Sequence, residues 1–230
     1  MANYARTIAN HNSHNLVINY LTFNTGVEIL CFLTALICLS GNTNLYWKLS
    51  IPYLFITCVT ECAGIYLRQL QQPNRWPYNI LLIFQILFIS LMFKHLFSAY
   101  LKDSILFLSG IAALLVLYLF EMFMQSFWFF NTITYNAMCI LYVFYCLYFF
   151  YKLLNDENYI ELKYSAMFWW VTGALFFYFG STAVNLFRGK LSDIAVDNHS
   201  LTYYIYTLLN LILYGCWCFS FICKKWLKTV

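Results

Sequence analysis

Residues 56–67 read ITCVTECAGIYL, with one acid, Glu61, in a run that is otherwise apolar or weakly polar. The run widens to residues 49–68, LSIPYLFITCVTECAGIYLR. That is the length, about 20 residues, that crosses a hydrocarbon layer as an α-helix. A carboxylate at that depth is costly, so its presence has to be explained.

Six further segments share this character. The seven cover residues 16–40, 49–68, 77–97, 104–124, 127–151, 164–187 and 201–223. The 230-residue chain is 63% hydrophobic and 10% charged, with a mean hydropathy of +0.67. A soluble domain carries about 25% charged residues, so this composition does not suit water. Single spans satisfy their backbone groups only as helices, and a barrel would need short alternating strands. The expected fold is all-α: one domain over 1–230, a bundle of seven transmembrane helices. A polar tail occupies 1–15 and a basic tail 224–230. The short MQSF stretch at 124–127 predicts a tight hairpin between the fourth and fifth spans.

The first span follows MANYARTIANHNSHN and has neither a short apolar core nor a cleavage site of small residues. It is expected to be retained rather than removed as a signal peptide.

Lysine and arginine in short loops set orientation. With the C-terminus inside, the inner side holds Lys48, Lys94, Lys102, Lys152, Lys163, Lys224, Lys225 and Lys228, and the outer side holds Arg6, Arg68, Arg75, Arg188 and Lys190. Eight against five favours N-out, C-in, the topology of a multi-pass protein of an inner (plasma) membrane. Net charge +4 suits an anionic cytoplasmic leaflet, and no basic stripe or phosphate loop points to nucleic acid. All nine cysteines fall within spans, so no disulfide is expected in the outer loops. Cys216-x-Cys218 has the wrong spacing for one helical face.

In this orientation the polar residues gather in the outer half. From the helical rise, Glu28 lies roughly 18 Å deep and Glu61 roughly 10 Å, with Gln85 at a similar level and Glu121 shallower. Asn136, Tyr178, Asn185, Tyr203, Thr207 and Asn210 continue the pattern in spans five to seven. Thr57, Glu61, Gly64 and Arg68 are spaced 4, 3, 4, as are Tyr203, Thr207, Asn210 and Tyr214. Such spacing draws one stripe along a helix, and a polar stripe in lipid faces the bundle interior or a cavity. Aromatic residues make up 22% of the chain. An aromatic cavity with a few polar groups suits a small ligand. The expected ligand-binding set is Glu28, Glu61, Gln85, Glu121, Asn136, Tyr178, Asn185, Tyr203, Thr207 and Asn210. Against this stands the plainer reading that each is interhelical glue, worth about 0.6–2 kcal/mol per bond. A carboxyl as deep as Glu28 or Glu61 either carries a proton or holds a cation or an amine.

Enzyme chemistry finds little support. The four histidines are His11, His14, His95 and His199, and no serine has a histidine partner within a span. His11, His14, Asp197 and His199 are zinc-ligand types, but their spacing is not that of a zinc motif. No metal and no cofactor is expected.

Seven helices with an outer N-terminus resemble the rhodopsin and G-protein-coupled receptor architecture in topology. Span seven, LTYYIYTLLNLILYGCWCFSFIC, contains no lysine, which excludes covalent retinal. The D-R-Y and N-P-x-x-Y receptor motifs are absent. The helix count also resembles that of PQ-loop sugar transporters, although QQP at 71–73 lies in a loop. The richness in Asn, Ile, Phe, Tyr and Leu resembles small seven-helix integral membrane proteins of AT-rich bacteria, some similar to membrane sensor modules. The function this implies is a sensor or receptor-like protein. It would take a small molecule or cation from outside and signal through a membrane or cytoplasmic partner. The rival expectations are a small proton- or cation-coupled transporter and a structural subunit of a membrane complex.

Overall fold

The computed structural model describes residues 22–98, 105–125, 127–155, 161–192, 194–196 and 199–226. The long helices are α1 (Phe23–Leu39), α2 (Ser50–Gln69), α3 (Trp76–Phe97), α4 (Ile105–Met124), α5 (Thr132–Leu154), α6 (Ala166–Leu186) and α7 (Leu201–Trp226). Single turns at Leu45–Lys48, Leu162–Tyr164 and Arg188–Ser192 join them. An antiparallel pair of two-residue strands, Ala195–Val196 and His199–Ser200, precedes α7. Six helices are long and apolar enough to cross a membrane, α2 through α7. The protein is therefore an all-helical, multi-pass membrane protein. Helix α1 is apolar but has 17 residues, about 25 Å of rise.

Local chemistry explains the helix ends. Thr22 caps α1 by accepting the Thr25 N–H at 3.3 Å. Asn44 caps the turn before α2, and Ser165 caps α6. Pro77 occupies the first turn of α3, where its missing N–H costs nothing. Helix α2 ends in a Schellman motif. Gln71 takes φ 55°, its N–H donates to Arg68 O and the Gln72 N–H donates to Leu67 O. Pro73 follows, as is usual after this cap.

The helices form a ring in chain order, closed by α7 packing on α1. Helix α3 is the most buried of the six candidate spans. Its apolar residues go all the way round, as an inner helix requires. Phe88 stacks on Tyr53 of α2 at 4.3 Å and meets Trp217 of α7 edge-on at 6.3 Å. Phe93 meets Tyr145 of α5 at 5.4 Å and Trp170 of α6 at 5.5 Å. Trp170 and Trp217 stack at 5.4 Å, and both rings are buried.

Helices α6 and α7 approach closely through Gly173 and Gly180, which lie against Cys216 and Leu209. Small residues at such crossings let the backbones meet. Ser220 Oγ donates to Ala166 O at 2.6 Å, and Lys225 Nζ donates to Ile37 O at 2.9 Å. Asn44 Nδ2 lies 3.1 Å from His95 Nε2. These contacts bring the C-terminal ends of α1, α3 and α7 together with the starts of α2 and α6. That end carries Lys48, Lys94, Lys224 and Lys225.

The helices match the sequence segments closely except the fifth. Residues 127–131 are not its first turn but part of the connection from α4, which is therefore longer than MQSF. Buried hydrogen bonds hold this connection, as described below. Of the first segment, residues 16–21 lie outside the described residues. From Thr22 onward the chain places Glu28 in the second turn of α1, about 9 Å along the axis.

Candidate functional site

The outer polar residues of the sequence separate into four groups, three toward the end opposite the lysines and one at the centre. The first lies between α1, α2, α3 and α7. Glu28 is buried, at 3% exposure, with the Tyr214 hydroxyl of α7 turned to its carboxyl and Oε2 without a hydrogen-bond partner. Glu61 of α2 is half-buried and within electrostatic reach of Glu28. The Tyr78 hydroxyl of α3 donates to Glu61 Oε2 at 3.2 Å. Gly64, one turn from Glu61, makes this possible, because a side chain there would meet the Tyr78 hydroxyl. Arg68 adds its positive charge to the Glu61–Tyr78 pair. Tyr53, hydrogen-bonded to Thr57, also feels Glu28. The free thiols of Cys31 on α1 and Cys218 on α7 lie beside it, each feeling the other.

The second group lies at the centre. Gln85 Nε2 donates to the Tyr178 hydroxyl at 3.1 Å, and Tyr178 meets Tyr142 edge-on at 5.1 Å. The Tyr142 hydroxyl donates to Ile86 O at 3.0 Å and pairs with Ser90 Oγ at 3.0 Å. Gln85 therefore belongs to a set facing α5 and α6 rather than to the Glu61 bond.

The third group joins three helices. Asn185 Nδ2 of α6 donates to Asn136 Oδ1 of α5 at 2.7 Å, and Tyr206 of α7 donates to Asn185 Oδ1 at 3.0 Å.

The fourth is the α4–α5 connection. The Glu121 carboxylate accepts the N–H of Ile133 at 2.9 Å and of Thr134 at 2.8 Å, and the Thr134 hydroxyl at 2.8 Å. It caps α5 from the neighbouring helix. A negative charge suits a helix N-terminus, and these three bonds occupy the carboxylate without a ligand. Asn79 of α3, fully buried, donates to Phe127 O and Phe129 O and accepts from the Asn131 N–H.

The remaining expected residues stand apart. Tyr203 is exposed at the start of α7, its ring 5.6 Å from Tyr204. The Thr207 hydroxyl donates to Tyr203 O in its own helix, and Asn210 is half-buried one turn further on. An open groove of about 610 Å³ lies between the α2–α3 turn and the α4–α5 connection, lined by Leu67, Gln72, Pro73, Trp76 and Trp128. It does not include Glu28, Glu61 or Gln85.

Sequence reasoning left Tyr78, Asn79, Tyr142 and Tyr206 out of the site. Tyr78 and Asn79 sit in the first turn of a span, where an interface residue is the ordinary expectation. Tyr214 did carry a signal, as the last member of the Tyr203 stripe. All nine cysteines lie on helices as free thiols. Cys216 faces Gly173 of α6 while Cys218 faces Cys31 of α1, which separates the C-x-C pair. Among the described residues no cluster of His, Cys, Asp and Glu suits a metal ion. His11, His14 and Asp197 lie outside the described residues.

Fold and site together define a helical multi-pass membrane protein with one acid on each of its first two long helices, Glu28 buried and Glu61 half-buried. No protein-family model, curated protein or solved structure matches the chain.

Proposed function

We propose that the chain is a seven-span membrane protein, N-out and C-in in an inner (plasma) membrane, that works as a sensor or receptor-like subunit. The reading takes α1 as the first span, on the strength of its apolar character and its packing on α2 and α7. The collection of Lys48, Lys94, Lys224 and Lys225 at one end supports placing that end in the cytoplasm.

The observation that carries the function is the buried Glu28 carboxyl, whose Oε2 has no hydrogen-bond partner, with Glu61 of the next helix within its electrostatic reach. Each comes from a different helix, and Tyr214 brings the ring-closing helix to the same point. A small molecule or cation entering from outside that neutralises this pair would bind one packing of α1, α2 and α7 better than another. That differential affinity is what a signal requires. The helix connections are short, so the output would pass to a membrane or cytoplasmic partner. Helix α4 is the least buried of the six long spans and offers Leu108, Val116, Phe120 and Phe123 at its surface. A small cation- or proton-coupled transporter is the second reading, favoured by the same two carboxyls.

Spin labels on α1 and α7 of the reconstituted protein test this, with a panel of external alkali cations and simple amines. A cation- or amine-dependent distance change without ion flux supports the receptor reading. Flux of the cation across the vesicle supports the transporter. Neither response supports a structural subunit and overturns both. A reporter fused after Val230 reads the orientation, and a signal from outside would overturn it.

A further inference from the structure

We propose that the groove between the α2–α3 turn and the α4–α5 connection holds one anionic phospholipid of the surrounding bilayer, an acyl chain against Trp76 and Trp128 and the phosphate on Arg68 and Arg75. The groove has a volume of about 610 Å³, which is the size of a small-molecule site. Leu67, Pro73, Trp76 and Trp128 give it an apolar lining, to which Gln72 adds an amide. Glu28 and Glu61 are not part of it, so this inference stands apart from the receptor reading.

Both walls are fixed by the fold. One is the turn that ends α2, with Gln71 at φ 55° and Pro73 after it. The other is the connection at 127–131, held from α3 by Asn79. Its amide donates to Phe127 O at 3.0 Å and to Phe129 O at 2.7 Å, and its oxygen accepts the Asn131 N–H at 3.0 Å. Trp128 lies between the two carbonyls that Asn79 holds. The Trp76 and Phe127 rings, 6.5 Å apart, bring the two walls together. A cleft ordered in advance loses little freedom when it is filled.

Depth and charge choose the occupant. Helix α2 ends at Gln69 and α3 begins at Trp76, so the groove sits at the ends of two spans. That is the membrane–water interface, the level at which tryptophan collects. Trp128 is 54% exposed, and Phe127 and Phe129 are exposed on either side of it. An open apolar cleft at this level meets acyl chains. Its rim is cationic. Arg68 follows Leu67 in the chain, Arg75 precedes Trp76, and both are exposed. Residues 67–76 and 127–131 contain no Asp or Glu. Glu121, near the connection, is taken up by Ile133 and Thr134. Glu61 feels the charge of Arg68, and Arg75 adds a second guanidinium. A guanidinium offers paired N–H donors that match a phosphate. Two of them favour a lipid whose phosphate carries no cation of its own, hence an anionic rather than a zwitterionic headgroup.

The test uses the full-length protein in phosphatidylcholine nanodiscs that contain phosphatidylglycerol with a photoactivatable acyl chain. Cross-linked peptides are mapped by mass spectrometry. Cross-links should concentrate in residues 67–76 and 127–131, and unlabelled phosphatidylglycerol should compete roughly tenfold better than phosphatidylcholine. Arg68→Gln with Arg75→Gln should remove that preference, and Trp128→Ala should lower the cross-linking itself. Lys224→Gln with Lys225→Gln, at the opposite end, should leave both unchanged. If the double arginine variant does not fold, Arg75→Gln and the wild-type competition still decide. Cross-links spread evenly over the spans overturn the proposal, as does equal competition by the two lipids. Competition by glycerol phosphate as strong as that by phosphatidylglycerol also overturns it, because the groove would then hold a headgroup without a chain.

Discussion

The carboxylate of Glu121 accepts both the backbone N–H and the hydroxyl of Thr134, each at 2.8 Å, so the last turn of α4 caps the first turn of α5. The α5 cap residue itself, Asn131, makes no side-chain cap bond. Removing the carboxylate leaves buried donors without a partner, which costs about 1–3 kcal/mol. Glu121→Ala should lower unfolding stability by about that much, and Glu121→Gln by less, since the amide oxygen still accepts. Chemical unfolding in mixed micelles measures both.

Gly64 and Tyr78 act as a unit. A methyl on Gly64 meets the Tyr78 hydroxyl, the free end of a movable side chain, so the ring withdraws and the fold survives. Gly64→Ala and Tyr78→Phe should each cost less than about 1 kcal/mol, in the range of one membrane hydrogen bond. The double variant should cost little more than either single one, because both remove the bond to Glu61. Additive losses would show that Gly64 serves something else.

The glycines of α6 and α7 should divide sharply. A Cβ on Gly173 meets Cys216 Cβ at 2.8 Å and the Leu213 carbonyl oxygen at 3.1 Å, and backbone does not yield. Gly173→Val should destabilise by about 1–3 kcal/mol, the usual cost of overpacking. Gly215 has open space around it. Gly215→Ala should stabilise α7 by about 0.5–1 kcal/mol through helix propensity. Parallel unfolding curves for the two variants provide the comparison.

Asn136, Asn185 and Tyr206 tie α5, α6 and α7 by two bonds that share one side chain. Tyr206→Phe and Asn136→Ala should each cost about 0.6–2 kcal/mol. Asn185→Ala should cost more than either, since it breaks both bonds. A double-mutant cycle between Asn136 and Asn185 should give a coupling of the same order, and no coupling would mean that the amides do not pair.

Much of the helical frame could be read from the chain. Hydrophobic runs near 20 residues, broken by Pro73, Pro77 and polar loops, gave helices α2 to α4 to within one residue at each end and α6 and α7 more coarsely. Burial in lipid demands continuous helix, so length and hydropathy alone carry that information. The fifth helix shows the limit. Residues 127–131, FWFFN, are as apolar as a span, yet Asn79 of a distant helix holds their backbone out of it. Hydropathy does not register a buried amide that substitutes for helical hydrogen bonds.

The candidate site divides along the same line. The sequence by itself determined that Glu28 and Glu61 lie in apolar helices and that polar residues favour one half of the bundle, because helical rise converts position into depth. Only the tertiary structure decided which partners they meet. Glu121, equally acidic in sequence, became a helix cap, Gln85 turned to Tyr178, and Glu28 came to face Tyr214. Such pairings depend on how each helix is rotated in the ring. That rotation is set by contacts between residues far apart in the chain, such as Phe88 with Tyr53 and Gly173 with Cys216. A periodic stripe gives a helix a polar face, but close packing of its neighbours chooses what that face touches.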